Sequence, residues 1–473
     1  MKFLNKLATT SIASSILASS LVGISNVSYA SGSGNGPTQS DVTYMGNTEN
    51  PKNIIFMVGD GMGPSYNTAY RHFQDDPNTK DIERSAFDDY LVGTQTSDND
   101  DNKENITDSA AAGTALSTGE RTYNGAVGVD NNKKRLETIL EKAKKNGKST
   151  GLVSTAEITD ATPAAYAAHV DSRDKKNEIA SQFYNEMING QHKVDVLLGG
   201  GSKYFGKENG NLDQKFNNDG YDVVDTKQEL LNTNNPQVLG LFSEKNMPLA
   251  MEAPEDDPSL AEMQTSALNR LEQNQNGFFL MVEGASIDKA GHPNDITGAM
   301  SEMESFEEAF ANATAYAKSH PDTLIVATAD HETGGLAMGK DGKYEWHPEP
   351  IRQMKHSGNY MTEAIAKGED VTKVINDGYG FEVSEKQIQA IQKEADKLSQ
   401  LDEEKDGEKY EEQLSKLQDA IQKPINDKSN TGWTSTGHTG VDSNVYGYGP
   451  GIENFSGVTD NIDNSPIFES YLK

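Results

Sequence analysis

Three short apolar runs, each closed by a carboxylate, set the strongest limit on how this chain can fold. Residues 53–58, 277–282 and 323–328 are rich in Ile, Leu, Val, Phe and Met. Their length suits strands buried on both faces better than helices, and such strands belong to sheets covered by helices on either side. The first run stops at Gly59-Asp60-Gly61-Met62-Gly63, the second at Glu283-Gly284, and the third at Ala329-Asp330-His331-Glu332. One carboxylate past a strand end reads as a solvated turn. Three of them, two with a histidine nearby, point to one sheet edge that gathers ligands, the edge where open α/β sheets bind. Further strands are predicted at 149–154 and 193–198. Helices are predicted at 136–146, 258–274 and 295–320, the last capped by Asp295 or Thr297. Residues 213–254 read as irregular and peripheral. Residues 340–428 read as an inserted surface module whose charge run, 385–422, has helical spacing and a solvated face.

The stretch Asn105-Ile106-Thr107-Asp108-Ser109-Ala110-Ala111-Ala112-Gly113-Thr114-Ala115 is the centre of the chemistry. Asp108 or Ser109 can cap the helix that begins near Ala110. Either choice leaves Ser109 at the positive end of a helix, where free N–H groups favour an anion. Small residues there let another element or a ligand approach closely. Taken alone, Ser109 reads as an ordinary cap. No histidine adjoins it in sequence to act as a base, whereas Asp/His pairs recur where metal ligands would sit, and a metal can activate a serine instead. Asp288 and His292 lie one helical turn apart and share a face; such a pair suits zinc, though it is more often an ion pair. His438, in the glycine-rich residues 432–440, could supply a ligand from far along the chain. Arg173 offers a planar fork for phosphate or carboxylate, against the commoner surface ion pair. His72, His192, His320, His347 and His356 have no matching context.

The net charge of −31 argues against DNA or RNA as a partner, but not against a small anionic substrate, because bound cations reverse a local field. No cysteine is present, so disulfides, thiol catalysis and thiolate-bound zinc are excluded. Residues 1–30 read as an export signal: Lys2 and Lys6 precede an apolar stretch diluted with Ser and Thr, which ends at Ser28-Tyr29-Ala30. That dilution favours cleavage over a membrane anchor, and no other stretch suits a bilayer span. Residues 31–50 read as a flexible lead-in to a domain at 51–473.

Taken together, Val58-Gly59-Asp60-Gly61-Met62-Gly63, Thr107-Asp108-Ser109-Ala110-Ala111-Ala112, Thr159-Asp160-Ala161-Thr162-Pro163, Val282-Glu283-Gly284, Ala329-Asp330-His331-Glu332 and Gly437-His438-Thr439-Gly440 resemble the motifs of the alkaline phosphatases, in that family's order. The resemblance spans about residues 51–440 and is least at 213–254 and 340–428. It implies an α/β fold: a three-layer α/β/α sandwich around a large central mixed sheet, with an inserted cap or crown region. It implies two Zn2+ and one Mg2+ per chain. Asp288, His292 and His438 would hold the first zinc. Asp60, Asp330 and His331 would hold the second, beside Ser109. Asp60, Glu283 and Thr162 would hold magnesium. Arg173 would clamp phosphate, with Asp160 and Lys289 supporting the site from just outside the ligands.

The implied activity is hydrolysis of small phosphate monoesters to alcohol and inorganic phosphate through a phosphoserine. A broad substrate range, an alkaline optimum, inhibition by phosphate, a homodimer and secretion to the exterior or cell wall are expected with it. Three departures stand out. Thr333 replaces a histidine found in some bacterial members, Lys289 occupies a variable position, and no family disulfide is available. Two other readings are a phosphodiesterase or sulfatase of the same superfamily, and a catalytically inert extracellular protein that binds metal or phosphate. Residues 107–112 do not match a sulfatase signature.

Overall fold

The computed structural model describes residues 50–472; the export signal and most of the lead-in expected from sequence lie outside them. The principal strands are β1 (Asn53–Gly59), β2 (Leu91–Thr96), β3 (Ser149–Glu157), β4 (Val196–Gly200), β5 (Asp222–Val224), β6 (Val238–Leu241), β7 (Phe278–Gly284), β8 (Thr323–Thr328), β9 (Ser443–Tyr448) and β10 (Gly457–Asp460). They form one ten-stranded sheet in the order β10-β2-β9-β8-β1-β7-β3-β4-β6-β5. Every neighbouring pair is parallel except the two made by β9, so β9 alone runs against the others.

The three apolar runs become β1, β7 and β8, adjacent at the centre of the sheet and buried throughout. Because side chains alternate across a strand, Ile55 and Met57 join the apolar core on one face, and Ile54, Phe56 and Val58 the core on the other. The first core is covered by helices Leu260–Leu271 and Ile296–Ser319, the second by Ser109–Thr118, Ile139–Lys145 and Asn464–Ser470. Burying each large apolar side chain contributes roughly 1.5–3 kcal/mol, so both faces are needed to hold the layers together. Local signals set the helix starts. Thr138 with Glu141, and Ser259 with Glu262, form capping boxes. Asp295 accepts from the backbone of Thr297 and Gly298.

The reading of 213–254 as irregular is overturned. It holds helix Leu212–Asn218 in its first part, then β5 and β6, which extend the sheet beyond β4. Strands of three and four residues are too short to show a period in sequence. In 340–428, Ile351, Met361, Ile375, Leu417 and Ile421 enter the same apolar core as Met300 and Phe306, while helix Glu385–Leu398 buries only Ile391 and Leu398. Among the described residues, no helix is long and apolar enough to cross a membrane.

Strand register decides what meets at the carboxyl edge. Val58 lies beside Thr328 on one side and Glu283 on the other, and Glu283 lies beside Ser154 of β3. Asp60 and Asp330, each two residues further on, therefore emerge at one level, with Glu283 just beneath.

Candidate active site

Helix Ser109–Thr118 begins at the serine singled out in sequence. Asp108 is its cap: one carboxylate oxygen accepts from Ala111 N at 2.9 Å. The other accepts from Gly125 N at 3.0 Å and from Arg173 Nη1 at 3.2 Å. Ser109 is thus the first helical residue, nearly buried, at the positive helix end. The small residues do what their sequence suggests. A Cβ on Gly113 would stand 3.1 Å from Ala165, so the helix lies directly against the segment that carries Thr162.

Ser109 Oγ lies 3.0 Å from His331 Nε2. The same nitrogen is 3.2 Å from Asp330 Oδ2 and 3.5 Å from Asp60 Oδ1. A second cluster stands alongside: Asp288 Oδ1 is 3.3 Å from His292 Nε2 and 3.6 Å from His438 Nε2. The rings of His331 and His438 stack at 3.5 Å. In each cluster the three ligand-type atoms lie within 4.8 Å of one another. Hydrogen bonds orient both distal imidazoles. His438 Nδ1 meets Thr107 O at 2.9 Å and His292 Nδ1 meets Thr436 O at 2.6 Å, which leaves both Nε2 atoms facing Asp288. Thr333 donates to Asp288 Oδ1 at 2.5 Å.

The electrostatics favour cations. Burial raises the Asp60 carboxyl well above its ordinary range, and Asp330, Asp288 and Glu283 push the same way. Asp330 and Glu283 are likewise raised, chiefly by burial. Burial, then the neighbouring His438, holds His331 well below the usual histidine range. Asp60 Oδ1 and Asp330 Oδ2 are buried without a hydrogen-bond donor. Buried oxygens aimed at one point without a donor are costly unless a cation meets them. Glu283 accepts from Ser154 Oγ at 2.5 Å. The Thr162 hydroxyl is near enough to lower the Glu283 pKa yet makes no hydrogen bond of good geometry.

On the other flank, Arg173 Nη2 reaches Asp160 Oδ1 at 3.4 Å and Lys289 Nζ reaches Asp160 Oδ2 at 3.2 Å. Burial opposes ionisation of Asp160, but Lys289, Lys176 and Arg173 hold its carboxyl well below the usual range. All twelve residues singled out in sequence thus lie in one connected neighbourhood: Ser109, Arg173, Asp160, Lys289, Asp60, Thr162, Glu283, Asp288, His292, Asp330, His331 and His438. Of the remaining histidines, His192 pairs with Asp219 and His356 with Glu252, and His72 meets the Trp346 ring. A third grouping, Glu141–His169–Glu186, is already neutralised by Lys193 and Arg135. Sequence reasoning passed over Lys176, which binds Glu157 and lies 3.3 Å from Asp160; nothing in its local pattern marks it.

Comparison with known proteins agrees with this geometry. The sequence profile of the family described as alkaline phosphatase matches residues 51–473. The chain is 45% identical to alkaline phosphatase 3 of Bacillus subtilis over 476 residues, covering 100% of this chain and 97% of that protein. It is also 45% identical to alkaline phosphatase 4 of the same organism, over 89% of each. A crystal structure of a cold-active alkaline phosphatase from a psychrophilic Shewanella superposes with a TM-score of 0.80 at 39% identity, covering 89% of this chain and all of the other. The chain belongs to the alkaline phosphatase family and is a hydrolase of phosphate monoesters.

Proposed function

We propose that hydrolysis proceeds through a phosphoserine on Ser109, with two Zn2+ and one Mg2+ per chain, a broad range of monoesters and an alkaline optimum. The observation that carries this is Ser109 Oγ placed beside His331, next to the donor-less buried oxygens of Asp60 and Asp330. The donor sets fit the ions. Asp288, His292 and His438, and Asp60, Asp330 and His331, mix imidazole with carboxylate as zinc prefers. Asp60, Glu283 and Thr162 offer oxygen alone, as magnesium prefers. Bound there, the cations would supply the charge that lowers the pKa of the serine hydroxyl and neutralises phosphoryl oxygens.

The chain's own groups do the rest. Ser109 Oγ attacks phosphorus in line; the Oγ–P bond forms as the P–O bond to the alcohol breaks, and the alcohol leaves with a proton. Water then cleaves the phosphoserine, returning Ser109 and releasing inorganic phosphate. Each displacement inverts phosphorus, so the net outcome is retention. Arg173, held by Asp108 and Asp160, meets the non-bridging oxygens as a fork. Because that clamp addresses only the phosphoryl group, the alcohol is free to vary. Lys289 holds Asp160 in place from the opposite side. Phosphate binds the same groups and acts as a product inhibitor. Residues 1–30 direct export, so the mature enzyme acts outside the cell or at its wall. The catalytic domain begins at about residue 51 with an insertion at 340–428, and the enzyme pairs as a homodimer.

The test is turnover of p-nitrophenyl phosphate from neutral to strongly alkaline pH, before and after chelation, with zinc and magnesium restored. Activity that rises with pH, vanishes on chelation and returns only with both metals is expected. Full activity after exhaustive chelation overturns the mechanism. Faster turnover of bis-p-nitrophenyl phosphate would identify a diesterase instead.

A further inference from the structure

Glu332 follows His331 directly, and its side chain joins three loops that carry ligand-type residues. The residue is almost wholly buried, at 2% exposure. Oε1 accepts from Leu336 N at 3.1 Å. Oε2 accepts from Gly335 N at 3.1 Å and from the Thr439 hydroxyl. The first two bonds close the loop that carries Asp330 and His331. The third reaches 107 residues along the chain, to the neighbour of His438. The backbones pair as well: Glu332 lies opposite Thr439, and Thr333 opposite His438, in a short antiparallel ladder. Gly334 extends it, donating to Gly437 O at 2.9 Å and accepting from Thr434 N at 3.0 Å. The third loop is the Asp60 turn. Gly63 packs on the Glu332 side chain so closely that a Cβ there would stand 2.0 Å from Glu332 Cγ. Thr333 N donates to Gly61 O in the same turn at 3.2 Å.

His438 reaches its cluster on a glycine-rich segment in which Thr434, Thr436, Gly440, Val441 and Asp442 are exposed. What holds that segment against the Asp330–His331 loop is this ladder and the Glu332–Thr439 bond. We infer that Glu332 is a positioning residue for the Asp288–His292–His438 cluster, setting its affinity for a divalent transition metal through the placement of His438. The inference rests on reading that cluster as a zinc site.

The test uses the full chain stripped by chelator, as wild type, Glu332→Gln, Thr439→Val and Thr439→Ser. Three quantities are read: zinc affinity against a competing chromogenic chelator, the visible spectrum with Co2+, and the thermal midpoint of the metal-free protein. Glu332→Gln and Thr439→Val should each weaken one equivalent of zinc by about 10- to 100-fold, the range seen when groups that orient metal ligands are removed. The Co2+ spectrum should change with them while the metal-free midpoint holds. Thr439→Ser, which keeps the hydroxyl, should bind as wild type does. The double variant should bind no more weakly than Glu332→Gln alone, because both changes break one interaction. Zinc affinities within twofold of wild type for both Glu332→Gln and Thr439→Val would overturn the inference, as would losses matched by a fall in the metal-free midpoint. If Glu332→Gln does not fold, Thr439→Val decides. A wild-type protein that binds no zinc overturns the reading of the cluster and the inference with it.

Discussion

Glu302 gives the most quantitative check on the packing that carries the site. It lies on helix Ile296–Ser319 within the core, and its Oε1 accepts from Ala250 N at 2.5 Å. Burial pushes its carboxyl up from 4.5 to about 7, and that one backbone donor only partly offsets the effect. Ionisation is therefore harder in the folded chain than in the unfolded one. The sign follows: stability is fully present below about pH 4.5, falls as pH rises through about 7, and is level above that. A shift of about 2.5 units is worth roughly 3 kcal/mol. Glu302→Gln keeps an acceptor for Ala250 and cannot ionise, so the variant should gain about 3 kcal/mol on wild type between about pH 5 and about pH 9. For a folded region of this size the unfolding entropy is roughly 0.9 kcal/mol/K, so the gain appears as about 3–4 °C in relative Tm. Differential scanning calorimetry of both proteins in excess chelator measures it, since metal linkage is then absent from each. Parallel Tm profiles for the two proteins across that range would refute the reasoning.

Arg173→Ala should raise KM for p-nitrophenyl phosphate and the inhibition constant of inorganic phosphate by about 10- to 100-fold, because a charge-assisted hydrogen bond is worth roughly 1.5–3 kcal/mol; an unchanged phosphate constant would remove Arg173 from the clamp. Thr333→Val deletes the hydroxyl that donates to Asp288, and should weaken zinc binding by about tenfold or more while Thr333→Ser does not; equal binding by both in chelator competition would count against it. Gly61 sits at φ +74°, and a Cβ there would lie 2.8 Å from Asp288 Cα. Gly61→Ala should cost at least 1–2 kcal/mol, roughly, in chelator-treated protein, and a Tm equal to wild type would show that the turn relaxes freely.

The centre of the fold was legible because β1, β7 and β8 are buried on both faces and so are written in uninterrupted apolar residues. Their register then brings Asp60, Glu283 and Asp330 together without help from anything else in sequence. The flanks were not legible. β10 buries none of its residues and β2 only Gln95, so no apolar run announces either, and β5 and β6 are too short to show a period. The cap at Ser109 was open between two residues and is settled by the bond from Asp108 to Ala111. Contacts such as Thr333 to Asp288, or Glu332 to Thr439, join residues 45 and 107 apart. Their geometry exists only once the loops have been laid side by side.

Asp108 shows how the site couples its parts. One carboxylate caps the helix that presents Ser109, fixes the Gly125 loop and holds one arm of Arg173. Ser109 and Arg173, the proposed nucleophile and clamp, are thereby referred to the same side chain, and Asp160 fixes the other arm of the fork. Such an arrangement lowers the cost of ordering a bound phosphoryl group, because neither partner must search for the other. It also keeps Arg173 charged, since burial opposes its ionisation while Asp160 and Asp108 restore it. Those two carboxylates would repel the phosphoryl anion that Arg173 is proposed to bind. They are tolerable because Lys289 and Lys176 answer Asp160, and the helix terminus answers Asp108. In the proposed role, a phosphoryl group would thus meet a guanidinium whose direction is already fixed, backed by Lys289 and Lys176, which is the form of preorganisation that favours a transition state over a mobile ground state.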